Sequence, residues 1–96
     1  MRIKPIILLT RAEVEFDEAY RWYAERNLKT AKRFYQTVHQ RFREIAQHPT
    51  RHPYIKEPYR AYMLQHFPYR IIYRICEADI QIIAIAHTSR EPFYWN

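Results

Sequence analysis

Four arginines and one histidine in the second half of the chain are of types that bind anions or exchange protons. They are Arg60, Arg70, Arg74, His87 and Arg90. A guanidinium group binds phosphate or carboxylate oxygens at two points, and an imidazole exchanges protons near neutral pH. These residue types predict a site for an anion or an anionic target, with the four arginines as its contacts.

One reaction fits these side chains, which is the cleavage of RNA without a metal ion. It needs a base for the 2′-hydroxyl, a cation near the phosphorus and an acid for the leaving oxygen. His87, Arg70 and Tyr94 are the candidates for these roles. In the alternative interpretation the arginines pair on the surface of a sheet or bind a partner peptide, and His87 caps a strand. The sequence offers no evident carboxylate to orient the imidazole, which favours that alternative.

The absence of some residue types excludes other chemistry. The chain has no glycine, so a phosphate-binding loop, a dinucleotide fingerprint and a nucleophile elbow are not expected. Its only serine is Ser89. His48 and His52 have a metal-like spacing, but no cysteine or carboxylate pair accompanies them. We therefore predict neither a cofactor nor a metal site.

The length and charge of the chain indicate one small domain, residues 1–96. The formal charge is +6, and basic residues dominate from Leu28 to Arg60. This excess indicates an anionic partner, nucleic acid or an acidic protein, unless it is only a solvated helix face. The single cysteine, Cys76, and the lack of a membrane span or signal peptide predict a soluble, cytoplasmic protein without a membrane partner.

The elements that position these residues follow from hydrophobic periodicity. The prediction is a strand over Arg2–Leu9, helices over Thr10–Arg26 and about Thr30–Gln47, a loop over Gln47–Pro58, and strands over Arg60–Phe67, Tyr69–Cys76 and Ile80–His87. Thr10 and Glu13 predict a capping box, and Asn27 predicts a left-handed helix stop. The fold class is α+β, in the order β-α-α-β-β-β. A helical hairpin covers one face of a mostly antiparallel, four-stranded sheet.

A tight turn at Glu77 and Ala78 predicts the register of the last two strands. The predicted pairs are Tyr73 with Ile82 and Ile71 with Ala84 on the helix-covered face, and Arg74 with Gln81, Ile72 with Ile83 and Arg70 with Ile85 on the other. Because side chains alternate along a strand, Arg70, Arg74 and His87 are then expected to share the uncovered face.

Two groups of aromatic residues allow either packing or binding. Phe93, Tyr94 and Trp95 end the chain as a stacking platform for bases or as a flap over the sheet or the hairpin, and the flap is favoured. Trp22, Tyr23 and Tyr35 are predicted to pack in the core or the helical hairpin.

The sequence resembles the RelE/ParE superfamily of toxins from type II toxin–antitoxin systems. The similar segments are Ala19–Tyr23, Phe34 with Val38, Ile45–Pro49, Phe67–Arg74, Ile80–Ala86 and His87–Pro92. The resemblance implies the same fold and a cognate antitoxin, which in this superfamily wraps the toxin with a helix or an extended segment to form a hetero-oligomer.

The superfamily has two branches that differ in their target. RelE-like members cleave messenger RNA on the ribosome, and Arg70 and His87 resemble residues that such toxins carry. The paired lysines of that branch fall near Ala61 and Met63 in this chain. ParE-like members act on DNA gyrase without a catalytic group, and the segments Phe67–Tyr69 and His87–Pro92 are more similar to theirs. The resemblance thus implies a gyrase toxin, with a ribosome-dependent ribonuclease and a simple nucleic-acid-binding module as alternatives.

Overall fold

A computed structural model describes residues 3–96 and has seven helices and strands. They are β1 (Ile6–Leu8), α1 (Thr10–Arg26), α2 (Leu28–Gln47), β2 (Tyr54–Lys56), β3 (Tyr59–Met63), β4 (Tyr69–Ile75) and β5 (Ile80–His87). The predicted first strand is shorter than expected, and its Arg2 lies outside the described residues. Within residues 3–96, neither helix is long and apolar enough to cross a membrane.

The five strands form one sheet in the order β1-β5-β4-β3-β2. Only β1 and β5 are parallel, and the other neighbours are antiparallel. The predicted α+β class is confirmed, but the prediction of four strands is wrong. The additional strand, β2, lies in the segment predicted as a loop because of its prolines. It is at the edge of the sheet and pairs only with β3. Its outer side has no neighbouring strand, so the prolines beside it break no hydrogen bonds there.

The helices have the predicted periodicity but different caps. α1 begins at Thr10, yet its N-cap is Leu9, which makes no side-chain capping bond, so the predicted capping box does not form. Asn27 is extended, with φ −160°, rather than left-handed. Its Oδ1 accepts a hydrogen bond from the backbone N–H of Thr30 at 3.1 Å. Asn27 is therefore an N-cap, and α2 begins at Leu28, earlier than predicted.

The main core lies between the helices and the sheet. Phe16, Phe34, Phe42 and Tyr73 are all buried there. The buried Tyr73 hydroxyl donates to the carbonyl of Pro49 at 2.7 Å, which satisfies this polar group. Of the aromatic residues predicted to pack in the core or the hairpin, Tyr23 packs against the core, and Tyr35, although 49% exposed, stacks on Phe16 across the hairpin with ring centres 5.5 Å apart. Trp22 is 51% exposed and lies at the edge of this packing.

A second apolar cluster covers the opposite face of the sheet. Ile72, Ile83, Ala84 and Ala86 are buried there beneath Trp95. Phe93 and Tyr94 are half-buried against the same cluster. The C-terminal aromatic segment is therefore a flap over the sheet, which confirms the favoured prediction.

The register of β4 and β5 changes part of the way along the pair. Near the turn, Tyr73 pairs with Ile82 and Arg74 with Gln81, as predicted. An irregularity follows between Ile72 and Tyr73, where β5 contains one extra residue, Ile83. The later pairs are Ile72 with Ala84, Ile71 with Ile85, Arg70 with Ala86 and Tyr69 with His87. The predicted pairs in this part were wrong because a bulge, invisible to simple alternation, shifts them by one residue.

Candidate functional site

Arg70 and Arg74 lie on the flap-covered face of the sheet, as predicted. They are four residues apart on β4, so their Cα atoms are separated by roughly 13 Å. The Nε and Nη2 atoms of Arg74 donate to Oε1 of Gln81 at 3.0 and 2.8 Å. Arg70 lies between Met63 on β3 and Ala86 on β5. The two side chains therefore start too far apart on the strand to bind the same small anion together.

Arg60 is on the other face of the sheet and supports a loop. Its Nη1 donates to the backbone carbonyls of His52 at 2.7 Å and Thr50 at 3.2 Å. Its guanidinium carbon lies 4.0 Å from the centre of the Tyr54 ring. These contacts fix the segment between α2 and β2, and they keep Arg60 apart from Arg70.

His87 lies on the helix-covered face because of the bulge in β5. It pairs with Tyr69, and the two rings meet edge to face with centres 5.0 Å apart. The backbone N–H of Ser89 donates to Nδ1 of His87 at 3.0 Å, and the Ser89 hydroxyl is 2.7 Å from the same atom. Since an amide N–H only donates, Nδ1 is the acceptor and the proton of the neutral ring is on Nε2. The expectation that His87 shares a face with Arg70 is thus wrong.

Tyr94 is tied to α1 through its hydroxyl, which donates a hydrogen bond to Oε2 of Glu15. Burial, followed by this bond, raises the pKa of Tyr94. The guanidinium carbons of Arg90 and Arg11 lie 4.2 and 5.6 Å from the centre of its ring. Arg90 therefore packs on the aromatic flap.

A cleft of about 390 Å³ lies beside His87, between α1 and the ends of β4 and β5. Its polar lining includes His87, Arg90, Glu15 and Glu18. Glu15 accepts a second hydrogen bond, from the backbone N–H of Ile85 at 3.0 Å, beyond the end of β1. Sequence reasoning did not identify these carboxylates, although their spacing of three residues places them on one face of a helix.

The structure does not bring together His87, Arg70 and Tyr94, which were predicted to supply the base, the cation and the acid for RNA cleavage. His87 lies on one face of the sheet and Arg70 on the other, and the hydroxyl of Tyr94 is bound to Glu15. Among residues 3–96, no group of three or more histidines, cysteines or carboxylates is placed to hold a metal ion. The cationic side chains are thus distributed over both faces of the sheet rather than gathered in one site.

The fold agrees with comparisons to known proteins. The chain belongs to the ParE toxin family, since the family described as "ParE toxin of type II toxin-antitoxin system, parDE" matches residues 6–92. The resemblance to the RelE/ParE superfamily, on its ParE-like side, is thereby confirmed. No curated protein matches the chain significantly.

Two solved structures have the same fold. A chain described as "Chromosomal ParDE TA system from P. aeruginosa" has a TM-score of 0.78 and 18% identity, covering 88% of this chain and 96% of that one. A chain described as "The structure of YoeB dimer from Staphylococcus aureus" has a TM-score of 0.57 and 14% identity, covering 90% and 98%. At these identities the likeness establishes the fold.

Proposed function

We propose that this ParE-family toxin is neutralised by a cognate antitoxin and, when free, binds DNA gyrase rather than cleaving RNA. The observation that carries this proposal is the separation of His87 from Arg70 by the thickness of the sheet. A general base on one face cannot act on a phosphate held on the other. A binding toxin has no such requirement, and the ParE family match supports gyrase as the target.

The neighbours of Arg70 also support binding over catalysis. The strand beside it carries Ala61 and Met63 where ribonuclease toxins of the superfamily carry lysines. Met63 lies directly opposite Arg70 and is half exposed. The additional negative charge of a phosphorane would therefore meet one guanidinium group without further cations from that face of β3, because Arg60 lies on the other face. We propose Arg60, Arg70, Arg74 and Arg90 as contacts for the target or the antitoxin.

A ribosome-dependent ribonuclease is the second candidate, because His87 lines a cleft that also holds Glu15 and Glu18. These carboxylates could supply the proton partner that the sequence did not reveal. The cleft offers Arg90 as its cation. In this alternative the reaction takes place at the cleft rather than on the face that carries Arg70.

One experiment separates the two candidates. The full chain, His87→Ala and the control His48→Ala are expressed without antitoxin, and growth, transcript integrity and gyrase supercoiling activity are measured. We expect all three proteins to inhibit supercoiling and leave transcripts intact, because no proton transfer is involved. Ribosome-dependent cleavage that is lost in a folded His87→Ala protein would establish the ribonuclease instead. Nucleic-acid binding without toxicity would indicate the simple binding module.

The antitoxin proposal rests on charge and exposed apolar surface. The chain carries a formal charge of +6, and Val14, Trp22, Leu28 and Tyr35 are about half exposed on the helices. An acidic amphipathic segment complements such a surface. It is expected to lie on the arginine-bearing face of the sheet, beside the flap, or around the hairpin, and to co-purify with the toxin when the adjacent gene is co-expressed. High-level expression of the chain alone, without slowed growth or binding of the neighbouring gene product, would contradict it.

A further inference from the structure

A small basic pocket lies between α2 and the turn that joins β3 to β4. Its volume is about 90 Å³, and its lining is Arg33, Thr37, Arg41, Gln65, His66 and Phe67. The polar groups in this lining are guanidinium, hydroxyl, amide and imidazole, all of which can donate hydrogen bonds. The two larger clefts, in contrast, each have two carboxylates in their lining.

The helix side of the pocket is a single row of residues. Arg33, Thr37 and Arg41 are spaced by four, which places them next to one another along one side of α2. Arg33 is exposed, and Thr37 and Arg41 are half-buried. Lys29 continues the row toward the start of the helix. The cationic surface thus extends beyond the pocket itself.

Arg41 is fixed by an ion pair with Glu44 on the side away from the pocket. Its Nη1 is bound to Oε2 of Glu44, and Oε1 of Glu44 accepts a hydrogen bond from the Tyr62 hydroxyl at 2.6 Å. This arrangement engages one nitrogen of the guanidinium group. A guanidinium that is already fixed loses less side-chain freedom when it binds a ligand.

The turn side of the pocket has an uncommon backbone. His66 has a φ of 70°, in the left-handed region that glycine adopts without strain. This conformation accompanies the placement of the His66 imidazole and the Gln65 amide at the edge of the pocket, facing the row on α2. Donors therefore surround the pocket from two separate elements.

We propose that this pocket binds one phosphate group of a nucleic-acid backbone. Two guanidinium groups and a hydroxyl match the oxygens of a phosphate, and a pocket of about 90 Å³ takes a single such group. Free phosphate would occupy only the pocket. A polymer also uses the neighbouring Lys29, because its phosphates repeat along the strand. The row of cations on α2 therefore favours a nucleic acid as the source of the phosphate.

The test is the salt dependence of binding to a fluorescent single-stranded oligonucleotide and to its duplex. The full chain is compared with Arg33→Gln and with Arg43→Gln, a control that removes the same charge from the same helix. Arg43 is exposed and two residues from Arg41, so it points away from the row. Losing one phosphate contact should reduce the slope of log affinity against log salt by about 0.7 to 0.9, and the affinity about tenfold at low salt.

We expect this loss of affinity and of salt dependence in Arg33→Gln. His66→Ala should lose less, and Arg43→Gln should bind almost as well as the parent protein. Thermal melting confirms that each variant is folded. Equal losses in Arg33→Gln and Arg43→Gln would overturn the proposal, because binding would then depend only on total charge. It would also be overturned if neither oligonucleotide binds at low salt, or if only inorganic phosphate or a phosphopeptide binds.

Discussion

Tyr94 donates a hydrogen bond to Glu15, which lies 79 residues earlier in the chain. The second oxygen of that carboxylate accepts the backbone N–H of Ile85. One side chain of α1 therefore holds both the C-terminal flap and the unpaired part of the β5 edge. The flap is fixed to the helical layer as well as to the apolar face that it covers.

Tyr94→Phe should destabilise the protein, because it removes the hydrogen bond and keeps the ring. We expect a loss of about 1–2 kcal/mol in the free energy of unfolding, measured in urea. Glu15→Ala should lose more, since it also leaves the N–H of Ile85 without its partner. Tyr35→Phe, on a half-exposed ring of α2, is the matched control and should be unchanged. Equal stability of Tyr94→Phe and the parent would show that the hydrogen bond is unimportant.

The protein should lose stability in acid as Glu44 becomes protonated. The hydrogen bond from Tyr62, followed by the contacts with Arg41, holds the pKa of Glu44 below its ordinary 4.5. A carboxyl group with a lowered pKa in the folded state stabilises the protein above about pH 4.5, and this contribution is lost as the pH falls through the folded value. Tyr62→Phe removes the largest cause of the shift.

The melting temperatures of the parent and Tyr62→Phe, measured from neutral pH to about pH 3, test this expectation. The difference between them should be largest at neutral pH and should shrink in acid. A difference that stays constant across this range would mean that Glu44 is not the group that titrates.

Phe42 should contribute strongly to stability, because its ring is 5% exposed in the core beneath α2. It meets the ring of Phe16 edge to face, with centres 6.2 Å apart. Phe42→Ala should reduce the free energy of unfolding by roughly 3–5 kcal/mol. The neighbouring exposed residue Arg43 offers a control. Arg43→Ala should change the free energy of unfolding by less than about 0.5 kcal/mol. Similar values for the two variants would contradict the described core.

Periodicity predicted the helices well because α1 and α2 each have an apolar side of many residues, such as Phe16, Phe34 and Phe42. Their caps were less predictable. A residue such as Asn27 suits a helix stop and an N-cap alike, and only the backbone of the connection decides between them. The short strand β2 was missed because the prolines on both sides of Tyr54–Lys56 indicate a loop unless the strand is known to be at an edge.

The candidate site depended on one residue that sequence alternation does not reveal. Ile83 and Ala84 are both apolar and both buried on the flap-covered face, so nothing in their types marks the bulge. The face of the sheet that carries Arg70 and Arg74 could be predicted, because both residues lie on β4 and the extra residue is in β5. The face of His87 could not, because it lies beyond the extra residue.

The burial of Trp95 and the exposure of Trp22 give the chain two optical reporters with different surroundings. Trp95 is 8% exposed because it packs against the sheet as part of the flap, whereas Trp22 is 51% exposed with the Arg26 guanidinium carbon 3.8 Å from its ring centre. A soluble quencher should therefore reach Trp22 first, and the remaining emission should come from Trp95. Any partner that lifts the C-terminal segment from the sheet would make this protected emission quenchable, while Trp22 serves as the internal reference.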